Sequence, residues 1–412
     1  MTMTTERDTD GNQARKLETH VRERACDYYP RFGRADVRAE LINNWPHNNS
    51  HLYRFELTAD VPAWRLVRQR RLFVKVPTAC GATKSGDRPY LIPETDPAIK
   101  FGLYSKALKA IRENFERVND PRYGSVRILE LLPDSDAIVM DEVPGETIRR
   151  VLTKGSRLRF GGGVIHLEQA FDNIGGWLRL YHAIHDVDGE VINDQREEFI
   201  RNIRRFTDFL GRNVGDRPFF RRLAEDVATH ANALMPEELP LGLRFGEFGL
   251  TNILVEPDAR VTAIGTLARW RAPIYEDIAC FLTGLKAYNL QVFTQGLAFK
   301  RREIVKLEQA FLSGYFKRDA IPASEIQLFE ILRLLERWSA LAVRNKRRSA
   351  VAGKLGSALA NRFFRKKISD VLASVRQTAS TSAPETRRGV ESRSRLARLA
   401  MGFRPHADSQ DI

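Results

Sequence analysis

Between Phe245 and Asp277 the chain reads FGEFGLTNILVEPDARVTAIGTLARWRAPIYED, and this segment carries the residues best placed for chemistry. An exposed turn, Gly246 to Thr251, leads into Asn252 and an apolar run, Ile253-Leu254-Val255. A polar turn, Glu256-Pro257-Asp258, then returns the chain through a second apolar strand, Val261 to Ile264. The pattern predicts a β-hairpin with Glu247 and Asn252 before its first strand and Thr266 after its second. Phosphoryl transfer needs such a place: a base takes the proton of an acceptor hydroxyl while oxygen ligands hold Mg2+ a few ångströms away.

Together with other stretches, this segment resembles the aminoglycoside phosphotransferase and choline kinase group, whose fold is protein-kinase-like. The group's catalytic loop reads His-Gly-Asp, four residues, then Asn, with a second metal-binding Asp after the next strand. Here the loop reads Phe245-Gly246-Glu247, four residues, then Asn252. Counted back from Tyr275-Glu276-Asp277-Ile278-Ala279, the second Asp falls on Gly265; counted forward from Val261, it falls on Thr266. Neither is a carboxylate. Leu72-Phe73-Val74-Lys75-Val76 is an alternating strand whose Lys75 is similar to the nucleotide-phosphate lysine of kinases. Ile138 to Glu146 is similar to the group's hinge, where backbone groups of Met140, Asp141, Glu142 and Val143 would meet an adenine. Trp177 to His185 is similar to a signature helix of the second lobe.

The resemblance implies ATP and Mg2+ as cofactors and a small-molecule hydroxyl as acceptor. It places Lys75 on phosphate, Glu247 as base, Asn252 as catalytic residue and metal ligand, and Thr266 as a hydroxyl ligand without charge. Glu247 is one methylene longer than aspartate. That moves the carboxylate by about an ångström, a displacement that can cost ~100-fold in rate. Loss of the second carboxylate is more serious, because neutralising phosphate charge is most of what such a catalyst does.

Several elements must position these residues. Leu17 to Asp36 reads as a charged helix, and His51 to Thr58 and Trp64 to Val76 as strands. Asn44 to Ser50, the expected nucleotide-covering turn, holds no glycine for a backbone cradle. Thr78 to Pro97 reads as a loop, and its Gly81 to Gly86 fails the spacing of a phosphate loop. Ala98 to Phe115 is amphipathic, with Phe101, Tyr104, Leu108, Ile111 and Phe115 at helical intervals. Kinases set an acid on this helix to pair the strand lysine, but Gly102 to Ala110 holds none, leaving Lys75 without that partner. From Leu167 onward the pattern is mostly helical. His182 and His185 are spaced for one helix face, yet no third ligand follows, so core packing is favoured over a metal. Asp186, Asp188, Glu190, Asp194, Glu197 and Glu198 form an acidic stretch, which reads as solvated acids of a helix–loop–helix connection; by the resemblance, it is also where a cationic acceptor would be sought.

The chain has 412 residues and a formal net charge of +14, with much of the excess between Arg344 and Arg404. That basic region suits an anionic membrane surface or an acidic partner, or else is a solvated face that aids solubility; nucleic acid is disfavoured because only the tail supports it. Ala358 to Val375 reads as a basic amphipathic helix that either lies on such a surface or caps the second lobe. Cys26, Cys80 and Cys280 are scattered and form no metal-binding pair, which with the polar N-terminus suits a cytoplasmic protein.

The expected fold class is α+β: a protein-kinase-like two-lobe fold with a small antiparallel-sheet N-lobe and a larger, mostly helical C-lobe. The expected boundaries are a disordered leader 1–16, an N-lobe 17–140, a C-lobe 141–345 carrying the hairpin 245–266, a basic helical extension 346–376 and a disordered tail 377–412. Two functions fit. One is a kinase-like protein that binds a nucleotide or metabolite with transfer impaired or absent. The other is an active ATP-dependent small-molecule O-phosphotransferase using Glu247 as base.

Overall fold

The computed structural model describes residues 3–33, 35–47, 50–61, 66–78, 96–154, 167–185, 187, 190–191, 195–266, 270–346 and 350–381. The chain divides into two compact units. The first comprises Met1–Ser85, Leu91–Val151 and Thr251–Ala268; the second comprises Gly86–Tyr90, Leu152–Leu250 and Arg269–Ile412. The hairpin therefore belongs with the sheet-bearing unit, whereas the sequence assigned it to the helical lobe.

The first unit is built on a five-stranded antiparallel sheet in the order β1 (Asp36–His47), β2 (Ser50–Val61), β3 (Leu66–Pro77), β6 (Ala137–Asp141) and β5 (Ile128–Leu132). Strand residues alternate between its two faces. Tyr53, Phe55, Leu57, Leu72, Val74 and Val139 pack with Leu17, Val21, Ala25 and Tyr28 of α1 (Met3–Tyr28). The opposite set, Leu52, Phe73, Ile138 and Met140, packs with Phe101, Tyr104 and Leu108 of α2 (Pro97–Val118) and with Ile264. Lys75 shares the parity of Phe73, so its side chain leaves the sheet on the α2 side.

Helix α1 begins at Met3, inside the expected leader, and Ala14 and Leu17 are already buried. Ala14, Leu17, Val21, Ala25 and Tyr28 recur at helical spacing against the sheet. Of the Asn44–Ser50 segment expected as a covering turn, Asn44 to His47 belong to β1 and Ser50 to β2.

The hairpin forms as β10 (Ile253–Val255) against β11 (Val261–Ala263), flanked in a four-stranded sheet by β4 (Tyr123–Gly124) and β7 (Glu146–Thr147). Gly145 precedes β7 at φ 107°, and a Cβ there would lie 2.6 Å from the Val255 carbonyl oxygen. Only glycine lets these two backbones approach so closely.

The second unit is mostly helical, with α4 (Leu167–His182), α5 (Gln195–Asn213), α6 (Arg217–Leu234), α7 (Tyr275–Lys286), α9 (Arg301–Phe316), α10 (Ala323–Lys346) and α11 (Ala350–Thr381) as its main helices, and the short α3 (Ile148–Lys154) and α8 (Asn289–Phe293) beside them. A small sheet joins β8 (Glu190–Val191), β12 (Trp270–Pro273) and β9 (Leu241–Leu243). Helix α11 reaches Thr381, past the expected onset of the tail at 377. Its apolar residues Phe363, Phe364, Ile368, Leu372 and Val375 are buried, and Phe364 stacks on Trp338 of α10 at 5.8 Å. That apolar face of the helix packs inward against α10. The loop at 79–95, the acids Asp186, Asp188 and Asp194, and the tail 382–412 lie outside the described residues.

Candidate active site

In the second unit, β9 delivers the chain to Phe245-Gly246-Glu247, and the buried carboxylate of Asp277 shapes that turn. Its Oδ2 accepts the Phe245 amide at 2.6 Å and its Oδ1 accepts the Gly246 amide at 3.0 Å. Gly246 has φ 93°, a conformation that glycine adopts without penalty. Asp277 also contacts His182 Nε2 at 3.2 Å, and His182 Nδ1 lies 2.7 Å from the Tyr315 hydroxyl. A carboxylate only accepts, so the ring donates from Nε2 to Asp277. Burial pushes the Asp277 carboxyl up, but hydrogen bonds from His182 and the Phe245 amide, with the Arg244 charge, bring it below its ordinary value. His182 is thus the packed core residue the sequence favoured, with an added role in holding Asp277. His185 is exposed.

Phe245 stands where the resembled group has histidine. It is buried, with its ring 5.3 Å from Tyr181, 5.9 Å from Trp177 and 5.2 Å from Phe248. Arg244 bridges to Glu276 at 3.0 Å, and Arg333 of α10 meets the same carboxylate at 3.1 Å. These contacts frame the turn, and Glu247 is exposed on it.

In the first unit, Asn252 and the Gly265–Thr266 segment flank one end of the hairpin, where the Ile264 amide donates to the Asn252 carbonyl at 2.8 Å. Asn252 is half-buried and Thr266 is buried at 2% exposure. Both side chains are neutral. Glu256 and Asp258 sit at the opposite, turn end, where the Asp258 carboxylate accepts the Arg260 amide at 3.1 Å. Among the described residues no group of three or more His, Cys, Asp or Glu could hold a metal ion. Mg2+ favours carboxylate oxygens together with substrate phosphate, so this donor set does not fit it.

Lys75 lies on β3 in the same unit. Its ammonium sits 3.3 Å from the centroid of the Tyr104 ring, and no carboxylate pairs with it among the described residues. The acids of α2 are spent elsewhere: Glu113 faces Lys109 at 3.8 Å and Glu116 meets Arg112 at 2.6 Å. Desolvation pushes the Lys75 pKa down to about 7. The negative face of the ring works against that push, because it favours the charged form.

The hinge segment is partly committed. The Asp141 amide donates to the Arg127 carbonyl at 2.9 Å and the Glu142 amide to the Arg71 carbonyl at 3.1 Å. The Asp141 carboxylate accepts the Tyr29 hydroxyl at 2.8 Å, and Glu142 meets Arg54 at 2.5 Å. Met140 is buried, and Val143 is half-buried against the α2 cluster.

The structure thus brings Lys75, the hinge, Asn252 and Thr266 into one compact unit, while Glu247 belongs to the other. Two residues escaped the sequence reading. Tyr104 was legible only as a core position, and Asp277 only as a landmark for counting.

No family model matches the chain, and no curated protein matches it either. Solved structures do resemble it in fold. A choline/ethanolamine kinase family protein from Mesorhizobium loti aligns with 87% of this chain and 99% of its own, at 13% identity and a TM-score of 0.49. An aminoglycoside-3'-phosphotransferase of type VIII covers 72% of this chain and 92% of its own, at 16% identity and a TM-score of 0.40. A spectinomycin phosphotransferase in complex with ADP and spectinomycin covers 83% and 94%, at 13% identity and a TM-score of 0.42.

Proposed function

We propose that this chain is a kinase-like protein that binds a nucleotide or a related metabolite and has lost most or all phosphotransfer. The observation that carries the reading is Lys75 stacked over Tyr104 where an ion pair would hold it. A lysine kept by an aromatic ring still attracts phosphate when protonated, but it is not pre-set to track charge developing on a transferring group. The hairpin end points the same way, since Asn252 and Thr266 supply neutral oxygens where two charges must be balanced. The Val143 amide is the hinge donor left for an adenine, because those of Asp141 and Glu142 are already engaged. Roles follow accordingly: Lys75 for phosphate, Met140 to Val143 for the base, and Asn252 for a polar contact.

One observation favours the alternative, an active small-molecule O-phosphotransferase with Glu247 as base. Asp277 fixes both amides of the turn that carries Glu247, a degree of order a discarded loop does not need. Calorimetric titration of ATP, with and without Mg2+, into the full chain and into Lys75→Ala separates the two. The proposed function expects binding that is weakened by Lys75→Ala and indifferent to Mg2+. Binding that requires Mg2+, together with ADP release in the presence of hydroxyl acceptors, would establish the alternative.

A further inference from the structure

Between Glu336 and Asp370 the chain holds ten Lys and Arg and no Asp or Glu, against a net charge of +14 for the whole molecule. This stretch covers the last turns of α10 and the first half of α11. One face of α11 packs inward through Phe363, Phe364 and Ile368, as described above. The opposite face is unusual. Val351 is 80% exposed and Leu355, one turn further on, is 62% exposed. Arg362 and Lys366 continue the same stripe at helical spacing, and Lys354 borders it; all three are exposed. Arg365, which points elsewhere, spends its charge on Asp216 at 2.6 Å.

Two bare aliphatic side chains among uncompensated cations call for a ligand that is both anionic and apolar. Nucleic acid satisfies the cations, but its backbone offers the aliphatic pair nothing to enter. The chain's own segment 382–412 carries more Arg than acid, so its charge does not complement this face. An anionic bilayer supplies lipid phosphates and carboxylates for the cations and an acyl boundary for the apolar pair. No described helix is long and apolar enough to cross a membrane, so the contact is peripheral.

We propose that the Val351–Lys366 face of α11 docks this protein on an anionic phospholipid surface. Val351 and Leu355 enter the boundary between headgroups and acyl chains, while Lys354, Arg362 and Lys366 hold lipid headgroups. The inference does not depend on whether the other unit binds a nucleotide.

Co-flotation of the full chain with equimolar phosphatidylcholine–phosphatidylserine vesicles, and with pure phosphatidylcholine vesicles, tests it. Binding to the first and not the second is expected, with affinity falling about fivefold for each charge removed in Lys354→Gln, Arg362→Gln and Lys366→Gln. The double variant Val351→Ser, Leu355→Ser should also bind several-fold more weakly. These exposed positions leave folding unchanged, which a thermal melt of each variant checks. Absence of binding to the serine-lipid vesicles overturns the proposal. So does binding that ignores the two serine changes. A short DNA duplex that binds with the same charge sensitivity, and is indifferent to the serine changes, would assign the face to nucleic acid instead.

Discussion

Asp277 in the second unit and Lys75 in the first are two ionic groups that the protein treats in opposite ways. Asp277, 1% exposed, accepts hydrogen bonds from two backbone amides and His182, and its charge is held below its ordinary pKa. Lys75 has an aromatic ring in place of a counter-ion, and desolvation drives its pKa down. A buried charge with full hydrogen bonding is a structural anchor; a desolvated one without an opposite charge carries a standing cost. Under the proposed function, the framework that shapes the loop would be kept while the groups that would handle phosphate charge are thinned out.

The largest test of this contrast is Asp277→Ala, which strands two amides and His182 inside the second unit. It should cost ~3–5 kcal/mol in chemical denaturation of the full chain. The wild-type contribution should fade as pH drops below about 4, because a depressed carboxyl loses its stabilising charge on protonation.

Lys75→Met should do the reverse and stabilise the fold by ~1–3 kcal/mol near pH 6. Lys75 titrates at about 7 in the folded chain against an ordinary 10.5, so between those values the unfolded chain binds the extra proton. Wild-type stability therefore rises with pH across that window, and the advantage of Lys75→Met shrinks until it is gone above 10.5. A destabilising Lys75→Met would break the comparison.

Tyr104→Leu keeps the α2 packing but removes the ring face, and should cost ~1–2 kcal/mol below pH 7, where the ammonium is charged. The double variant with Lys75→Met should lose that cost, a coupling that a double-mutant cycle measures. Smallest of all, Glu247→Gln on the exposed turn should shift stability by less than ~0.5 kcal/mol. It should leave nucleotide affinity unchanged by the same titration.

Much of the framework was legible in the sequence because it rests on local periodicity. Strand alternation around Val74, the helical spacing of Phe101, Tyr104 and Leu108, and the turn at Pro257-Asp258 each fix an element from its own residues. The parts that were not legible depend on contacts between distant residues. The pairing of Lys75 with Tyr104 needs the register of β3 against α2. The hold of Asp277 on Phe245 and Gly246 joins residues about thirty positions apart. The helix expected from Leu17 starts earlier, at Met3, and packs its Leu17 and Val21 on a sheet face made by residues far along the chain.

The central claim is that this site handles phosphate without a metal-assisted transfer step. ATP titrated into the full chain at pH 6, in the presence of Mg2+ and again in the presence of chelator, tests that most directly. The account predicts the same affinity in both conditions, a weaker one at pH 8 where Lys75 is neutral, and no ADP on prolonged incubation with hydroxyl acceptors. Affinity that collapses when Mg2+ is removed, with ADP accumulating when it is present, would contradict it.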